Sequence, residues 1–226
     1  MFQTKLLPSL FFIFFLVSIG NINAQLNIKI GYSIGYVQAD STNKLIQDFN
    51  NGHQYDKPLE EFKILHGVLV GLRYRINDVA IHLDWNNKFN LLKGSGTDAS
   101  GISGFQKVFF KNASYGLGLE FFGTEKFSFG GTIDFDVLTY RLQNDGLPDK
   151  ATILNDYGLG SHFYVSINIE GSDILTLNLQ PYVQIPWTSY DIHALDNAIN
   201  DKDSNQRLAE KYLNFGVRII FSNGSF

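Results

Sequence analysis

An all-β fold, an eight-stranded antiparallel up-and-down transmembrane β-barrel, is predicted by three features of this 226-residue chain. Segments in which apolar and polar residues alternate recur along it, and successive side chains of a strand point to opposite faces. The links between the segments are short and long by turns. The last segment has a continuous greasy face and needs a first strand to close against, and the start of the chain supplies one.

In the closing segment Leu213, Phe215, Val217, Ile219 and Phe221 share one parity, and Asn214, Gly216, Arg218, Ile220 and Ser222 the other. Its expected partner sets Leu26, Ile28, Ile30, Tyr32, Ile34 and Tyr36 against Asn27, Lys29, Gly31, Ser33 and Gly35. The strands are expected at 26–37, 62–76, 79–91, 105–122, 127–141, 160–170, 174–187 and 211–222. Each repeats the pattern: Ile81, Leu83 and Trp85 oppose His82, Asp84 and Asn86, while Phe129, Ile133 and Phe135 oppose Gly130, Asp134 and Asp136. No helical period competes in these windows.

The short links, 77–78, 123–126 and 171–173, hold Gly, Asn and Asp, which suit tight hairpins. The long ones, 38–61, 92–104, 142–159 and 188–210, would all lie on the other side. A membrane barrel sorts its loops in this way, with short periplasmic turns and longer exterior loops. Residues 45–49 and 194–211 are expected to form short amphipathic helices in the first and fourth exterior loops.

Which face lies inside decides membrane against solution. The polar face is rich in Gly, Ser and Asn, which suits the narrow lumen of an eight-stranded barrel. The other face carries large aliphatics and aromatics on strands long enough for the ~9–11 residues a tilted membrane strand needs. An open sheet in hydrocarbon would leave backbone groups unpaired, so the sheet must close. A soluble ligand-carrying barrel is the fold-level alternative. Aromatics at the strand ends, Phe121, Phe122, Phe127 and Phe221 near the short turns and Trp85, Phe89, Tyr140 and Trp187 near the long loops, are expected to mark the two interfaces.

Composition narrows the function. The chain holds 18 Lys plus Arg against 22 Asp plus Glu, with no basic stripe of the kind nucleic acid demands. It has no cysteine, so disulfides, thiolate metal sites, cysteine nucleophiles and lipidation at an N-terminal cysteine are excluded. Residues 1–24 read as a secretory signal peptide: Lys5, then an apolar run over 6–19, then a polar stop ending in Ala24. Ile22, at the third position before the cut, is larger than the preferred small residue. The run is shorter than the ~20 residues of a transmembrane helix. One domain, 25–226, remains.

With its signal segment, eight amphipathic strands, sorted loops and aromatic-ended last strand, the chain resembles the small outer-membrane β-barrels of Gram-negative bacteria. The OmpA-type, OmpX-type and PorT-like groups are the similar ones, and the likeness covers 25–226 as an architecture. That resemblance implies an integral outer-membrane location, porin-like closure, and outer-membrane lipid, lipopolysaccharide and other outer-membrane proteins as partners. The last residue of such proteins is commonly the final lipid-facing aromatic. Here Phe226 is out of phase with Phe215 and Phe221, so either Phe221 ends the strand or a bulge resets the register.

The inward parity collects Lys29, Arg73, Arg75 and Arg218 with Asp84, Glu120, Asp134, Asp136 and Glu170. Buried charges persist when paired, so a structural network filling the lumen is expected. The rival readings are a selectivity lining and an acid–base pair at Asp134 and Asp136. Lys88, Lys93, Lys107, Lys111 and Arg141 fall towards the long loops and form an expected lipopolysaccharide-facing rim, by charge-assisted contact with phosphate.

Histidines 53, 66, 82, 162 and 193 are scattered, with no HExxH or paired-His spacing, so no metal is expected. His82 and Asp84 could serve a lipid-modifying barrel enzyme as rim residues. The glycine-rich stretch 94–101 lacks the Lys-Ser/Thr of a phosphate loop. The stretch 201–205 imitates half a calcium loop, but Gln206 and Tyr212 stand where glycine and glutamate belong. The expectation is a non-enzymatic, cofactor-free barrel that acts through its exterior loops in surface interaction, envelope support or as an accessory subunit. A narrow solute channel and a lipid-modifying enzyme are the alternatives.

Overall fold

The computed structural model describes residues 24–53, 55–97, 101, 103–170 and 175–223, with the backbone alone for Ala24 and Glu170. Residues 1–23 of the predicted signal peptide, the 171–173 turn, Phe226 and part of the 94–101 stretch lie outside the described residues.

In chain order the elements are β1 (Ala24–Gln38), α1 (Asp40–His53), β2 (Ile64–Ile76), β3 (Val79–Thr97), β4 (Ser103–Phe122), β5 (Phe127–Asn144) and β6 (Leu147–Glu170). There follow β7 (Leu175–Pro186), β8 (Tyr190–Asp191), α2 (His193–Asn200), β9 (Ala209–Glu210) and β10 (Leu213–Asn223). Eight strands, β1 to β7 and β10, close into one antiparallel barrel in which each pairs with its chain neighbour and β1 pairs with β10. The closing seam sets Ile30 against Phe221 and Tyr36 against Phe215, so the first and last greasy faces form one surface. The strand runs past Phe221, which faces outwards, to Asn223.

Period-two alternation explains the wall. Leu26, Ile30, Leu117, Ile133 and Phe163 stand half or more exposed on the outside, at 50, 59, 61, 59 and 50 %. Their neighbours Asn27, Lys29, Ser114 and Asp134 are buried inside. A closed sheet with so wide an apolar exterior is stable only against hydrocarbon. The chain is therefore a transmembrane barrel. At the β2–β3 turn Asn77 takes φ +53, the left-handed region that asparagine tolerates.

Two expectations about the exterior side are corrected. The links 92–104 and 142–159 are mostly strand: β3 and β4 continue in register to Thr97 and Ser103, and β5 meets β6 across Asp145 and Gly146. Alternation did not reveal these extensions because the polarity of the barrel inverts there. The inward residues become apolar, as Leu92, Val108, Phe110, Leu138 and Leu142. The outward ones become polar and exposed, as Lys93, Lys111 and Arg141. The helices also differ in extent. α1 starts five residues before 45, and α2 covers only the first part of 194–211, the remainder being open chain and β9.

Apolar residues of the extensions form one cluster with both helices, and this closes the outer mouth. α1 contributes Leu45, Ile46 and Phe49 from one face of its amphipathic surface, and α2 contributes Leu195 and Ile199. Two amides fix the chain that returns from α1 to β2. Asn43 donates to the Phe62 carbonyl (3.2 Å) and accepts from its N–H (2.6 Å), while Asn50 does the same for Leu59 at 2.9 Å each way.

Candidate functional site

The bore and the outer rim hold the candidate residues, and the strands position them by parity alone. Towards the short-turn end one polar chain runs across the lumen. Lys29 Nζ pairs with Asp84 (2.7 Å) and donates to His82 Nδ1 (2.6 Å). With Nδ1 accepting, the proton of a neutral His82 sits on Nε2 and reaches Glu120 Oε2 at 2.7 Å. Arg73 lies 3.9 Å from the same carboxylate and donates to Asn27 Oδ1 at 3.2 Å, and Ser128 Oγ donates to Glu120 Oε1 at 2.5 Å. All of these side chains are buried. Gly71 makes the room: a Cβ there would stand 2.1 Å from Asp84 Oδ1 and 3.0 Å from Lys29 Cε.

A second cluster lies nearer the outer mouth. Arg218 contacts His162 Nδ1 at 2.8 Å, that nitrogen lies 3.9 Å from Asp134, and Thr132 donates to Asp134 at 2.5 Å. Lys88 Nζ donates to Gln184 Oε1 (2.7 Å) and Asn214 Oδ1 (2.5 Å) and sits 4.5 Å above the Tyr182 ring. Asp136 accepts from Ser114 and, at 3.4 Å, from Gln184. Tyr164 stands between the clusters, 3.4 Å from His82 Nε2 and edge-on to His162.

Of the nine expected lumen charges, Lys29, Arg73, Asp84, Glu120, Asp134, Asp136 and Arg218 are buried in the bore. Arg75 is at the short-turn edge, donating to the Asn77 carbonyl at 2.7 Å and lying 4.0 Å over the Phe122 ring. The Glu170 side chain is outside the described set. Asp134 and Asp136 do not share a site, since each carboxylate is held by different partners. His82 and Asp84 are not rim residues: both lie inside the bore, tied to Lys29.

Lys88 is likewise corrected. It is 1 % exposed and belongs to the bore, because it shares the parity of His82, Asp84 and Asn86. Lys93 and Lys111 are exposed on the outer wall, as is Arg141, while Lys107 is half-buried with its Nζ 4.8 Å over Phe105. Two expected belt aromatics also point inwards. Phe122 floors the bore beneath Arg75, and Tyr140 sits in the cap with its hydroxyl 2.8 Å from that of Tyr212. His66 shares the apolar parity of Ile64 and Val68, lies on the outside and bonds the Tyr32 hydroxyl at 2.8 Å.

Sequence reasoning did not include His82, His162 and Lys88 in the bore network, although their parity marked them. It also left out Lys150, whose Nζ stands 4.1 Å over the Phe109 ring on the outer wall. Among the described residues no group of three or more His, Cys, Asp or Glu could hold a metal ion.

No protein-family model and no curated protein matches the chain. Small Gram-negative outer-membrane barrels are among the solved structures similar to the chain. Ail, the attachment invasion locus protein of Yersinia pestis, in complex with the heparin analogue sucrose octasulfate, is 11 % identical at TM-score 0.44, over 90 % of this chain and 99 % of that one. Neisserial surface protein A is 11 % identical at TM-score 0.41, over 90 % and 99 %. The N-terminal β-barrel domain of Pseudomonas aeruginosa OprF is 12 % identical at TM-score 0.30, over 88 % and 99 %.

Proposed function

We propose that this chain is a non-enzymatic barrel of the outer membrane whose bore is closed to solutes and which acts through its capped outer surface, in surface interaction. One observation carries this: the lumen is filled at two levels, in the membrane by buried charges held in ion pairs or in hydrogen bonds to amides, hydroxyls and histidine, and above them by an apolar cluster. Charges held in this way have no reason to admit a hydrated ion, because pulling them from their partners leaves each one desolvated and unsatisfied. A scaffold with a rigid wall and no open path has its ordered outer end left to present to a partner. The enzyme alternative loses its candidate pair, since His82 and Asp84 sit where lipid does not reach.

Export by a signal peptide cut after Ala24 belongs to the same proposal, as does contact of Lys93, Lys107, Lys111 and Arg141 with phosphorylated outer-leaflet lipid. Liposome swelling in small sugars tests the closed bore. Vesicles carrying the refolded barrel should swell no faster than empty ones; swelling that falls with solute size would establish the channel instead.

A further inference from the structure

Resting on the outer-membrane reading above, we propose that a groove on the outer wall of β3 to β6 binds a phosphorylated, multiply acylated glycolipid of the outer leaflet, of the lipid A kind. The groove has a volume of about 440 Å³, and its outer rim and floor include Phe89, Leu91, Phe109, Lys111, Arg141 and Lys150. The strand registers explain how they meet. Phe89 lies opposite Lys111, which lies opposite Thr139, and one row further out Leu91 lies opposite Phe109, which lies opposite Arg141. Below them the same strands carry Trp85, Tyr115 and Phe135 as part of the apolar belt. Phe89, Leu91 and Phe109 therefore carry a greasy surface upwards beyond the belt, into the level where the wall turns basic.

Charge selects the ligand. Three cations border the groove, and no carboxylate lines it. None of the three forms a salt bridge among the described residues, in contrast to Lys29 in the bore. Lys150 is instead parked on the Phe109 ring, where it covers apolar surface and keeps its ammonium at the groove edge. A lipid with one phosphodiester charge would leave most of this positive charge unanswered. A bisphosphorylated headgroup matches it, with Arg141 able to take a phosphate through two parallel N–H bonds and the lysines acting as point charges. Phe89, Leu91 and Phe109 then receive the first part of an acyl chain.

Native mass spectrometry of the full mature barrel, released from nanodiscs holding equal amounts of bisphosphoryl lipid A, its monophosphoryl form and phosphatidylglycerol, tests this. Wild type should retain the bisphosphoryl form in preference to both others. K111Q/R141Q/K150Q should lose that retention by about tenfold or more, as expected when charge-assisted phosphate contacts are removed. The charge-matched control K44Q/K57Q/K211Q, altered elsewhere on the outer end, should retain it unchanged. F109S should lower retention of all three lipids alike.

Equal retention of phosphatidylglycerol, or full retention by the triple variant, would overturn the groove assignment. Circular dichroism and heat-modifiable gel mobility confirm that each variant is folded. The underlying reading fails separately, if the wild-type chain does not insert into nanodiscs or passes solute in the swelling assay.

Discussion

Glu120 shows what holds the bore together at the scale of single residues. Its two oxygens collect His82, Ser128 and Arg73, all buried. Removing the carboxylate leaves a buried guanidinium without its counter-charge, so Glu120→Ala should lower stability by about 3–5 kcal/mol. Glu120→Gln retains an acceptor for the His82 N–H and should cost less. Urea unfolding of the barrel in lipid vesicles measures both, and an unchanged stability in Glu120→Ala would refute the ion-pair account. Gly71→Ala should be damaging at once, since its Cβ would lie 2.1 Å from Asp84 Oδ1 and 3.0 Å from the Leu83 carbonyl oxygen. Lys88 shows how legible single residues were. Its place in the bore follows from counting by twos from Asp84, yet nearness to a predicted loop suggested the rim. Parity is the stronger guide, because the strand runs on unbroken to Thr97. No sequence signal brings Lys150 beside Phe109: the register of β6 shifts between Tyr140 and Arg141, and such a shift depends on the folded wall.

At the scale of elements, the cap is a small soluble-style core built on a membrane wall. Asn43 and Asn50 each make two bonds to the chain at Phe62 and Leu59, so replacing either with alanine should cost about 1–3 kcal/mol locally. Hydrogen exchange should show this as lost protection at the Phe62 or Leu59 amide, with β3 to β5 unchanged. Uniform loss over the barrel would mean the cap is not a separate unit. Glu210 gives the cap a pH response. It accepts from the Thr42 N–H at 2.7 Å near the start of α1, but burial pushes its carboxyl above the ordinary range. A raised folded-state pKa means that the folded cap binds the proton more tightly than the unfolded chain. Glu210 therefore favours the cap fully below the ordinary carboxylate pKa, and that contribution is lost as pH rises through the raised value. Protection of the Thr42 amide should rise on acidification, and Glu210→Gln should flatten that dependence. The helix faces were legible at 45–49, where apolar residues are dense, whereas the strand extensions were hidden. There the two faces exchange chemistry without changing parity, so the alternation rule sees apolar residues on the wrong side and stops.

The whole molecule is a closed wall with two insides, polar within the membrane and apolar above it, and one lipid-facing outside. The wall was legible because eight strands repeat one period and the closing pair Ile30 and Phe221 had to meet. The seal was only half legible, since paired charges announce themselves by parity but the apolar cap is assembled from distant segments. If the proposed export route holds, N-terminal sequencing of the mature protein from outer membranes should begin at Gln25. Because the chain has no cysteine, each introduced one is unique, and β4 can be scanned residue by residue in liposomes. Tyr115→Cys, Leu117→Cys and Leu119→Cys should carry spin labels relaxed by lipid-soluble oxygen, while Ser114→Cys should be reached neither by oxygen nor by an aqueous methanethiosulfonate. Rapid aqueous labelling of Ser114→Cys, or water-exposed labels at 115, 117 and 119, would contradict a sealed barrel that faces lipid.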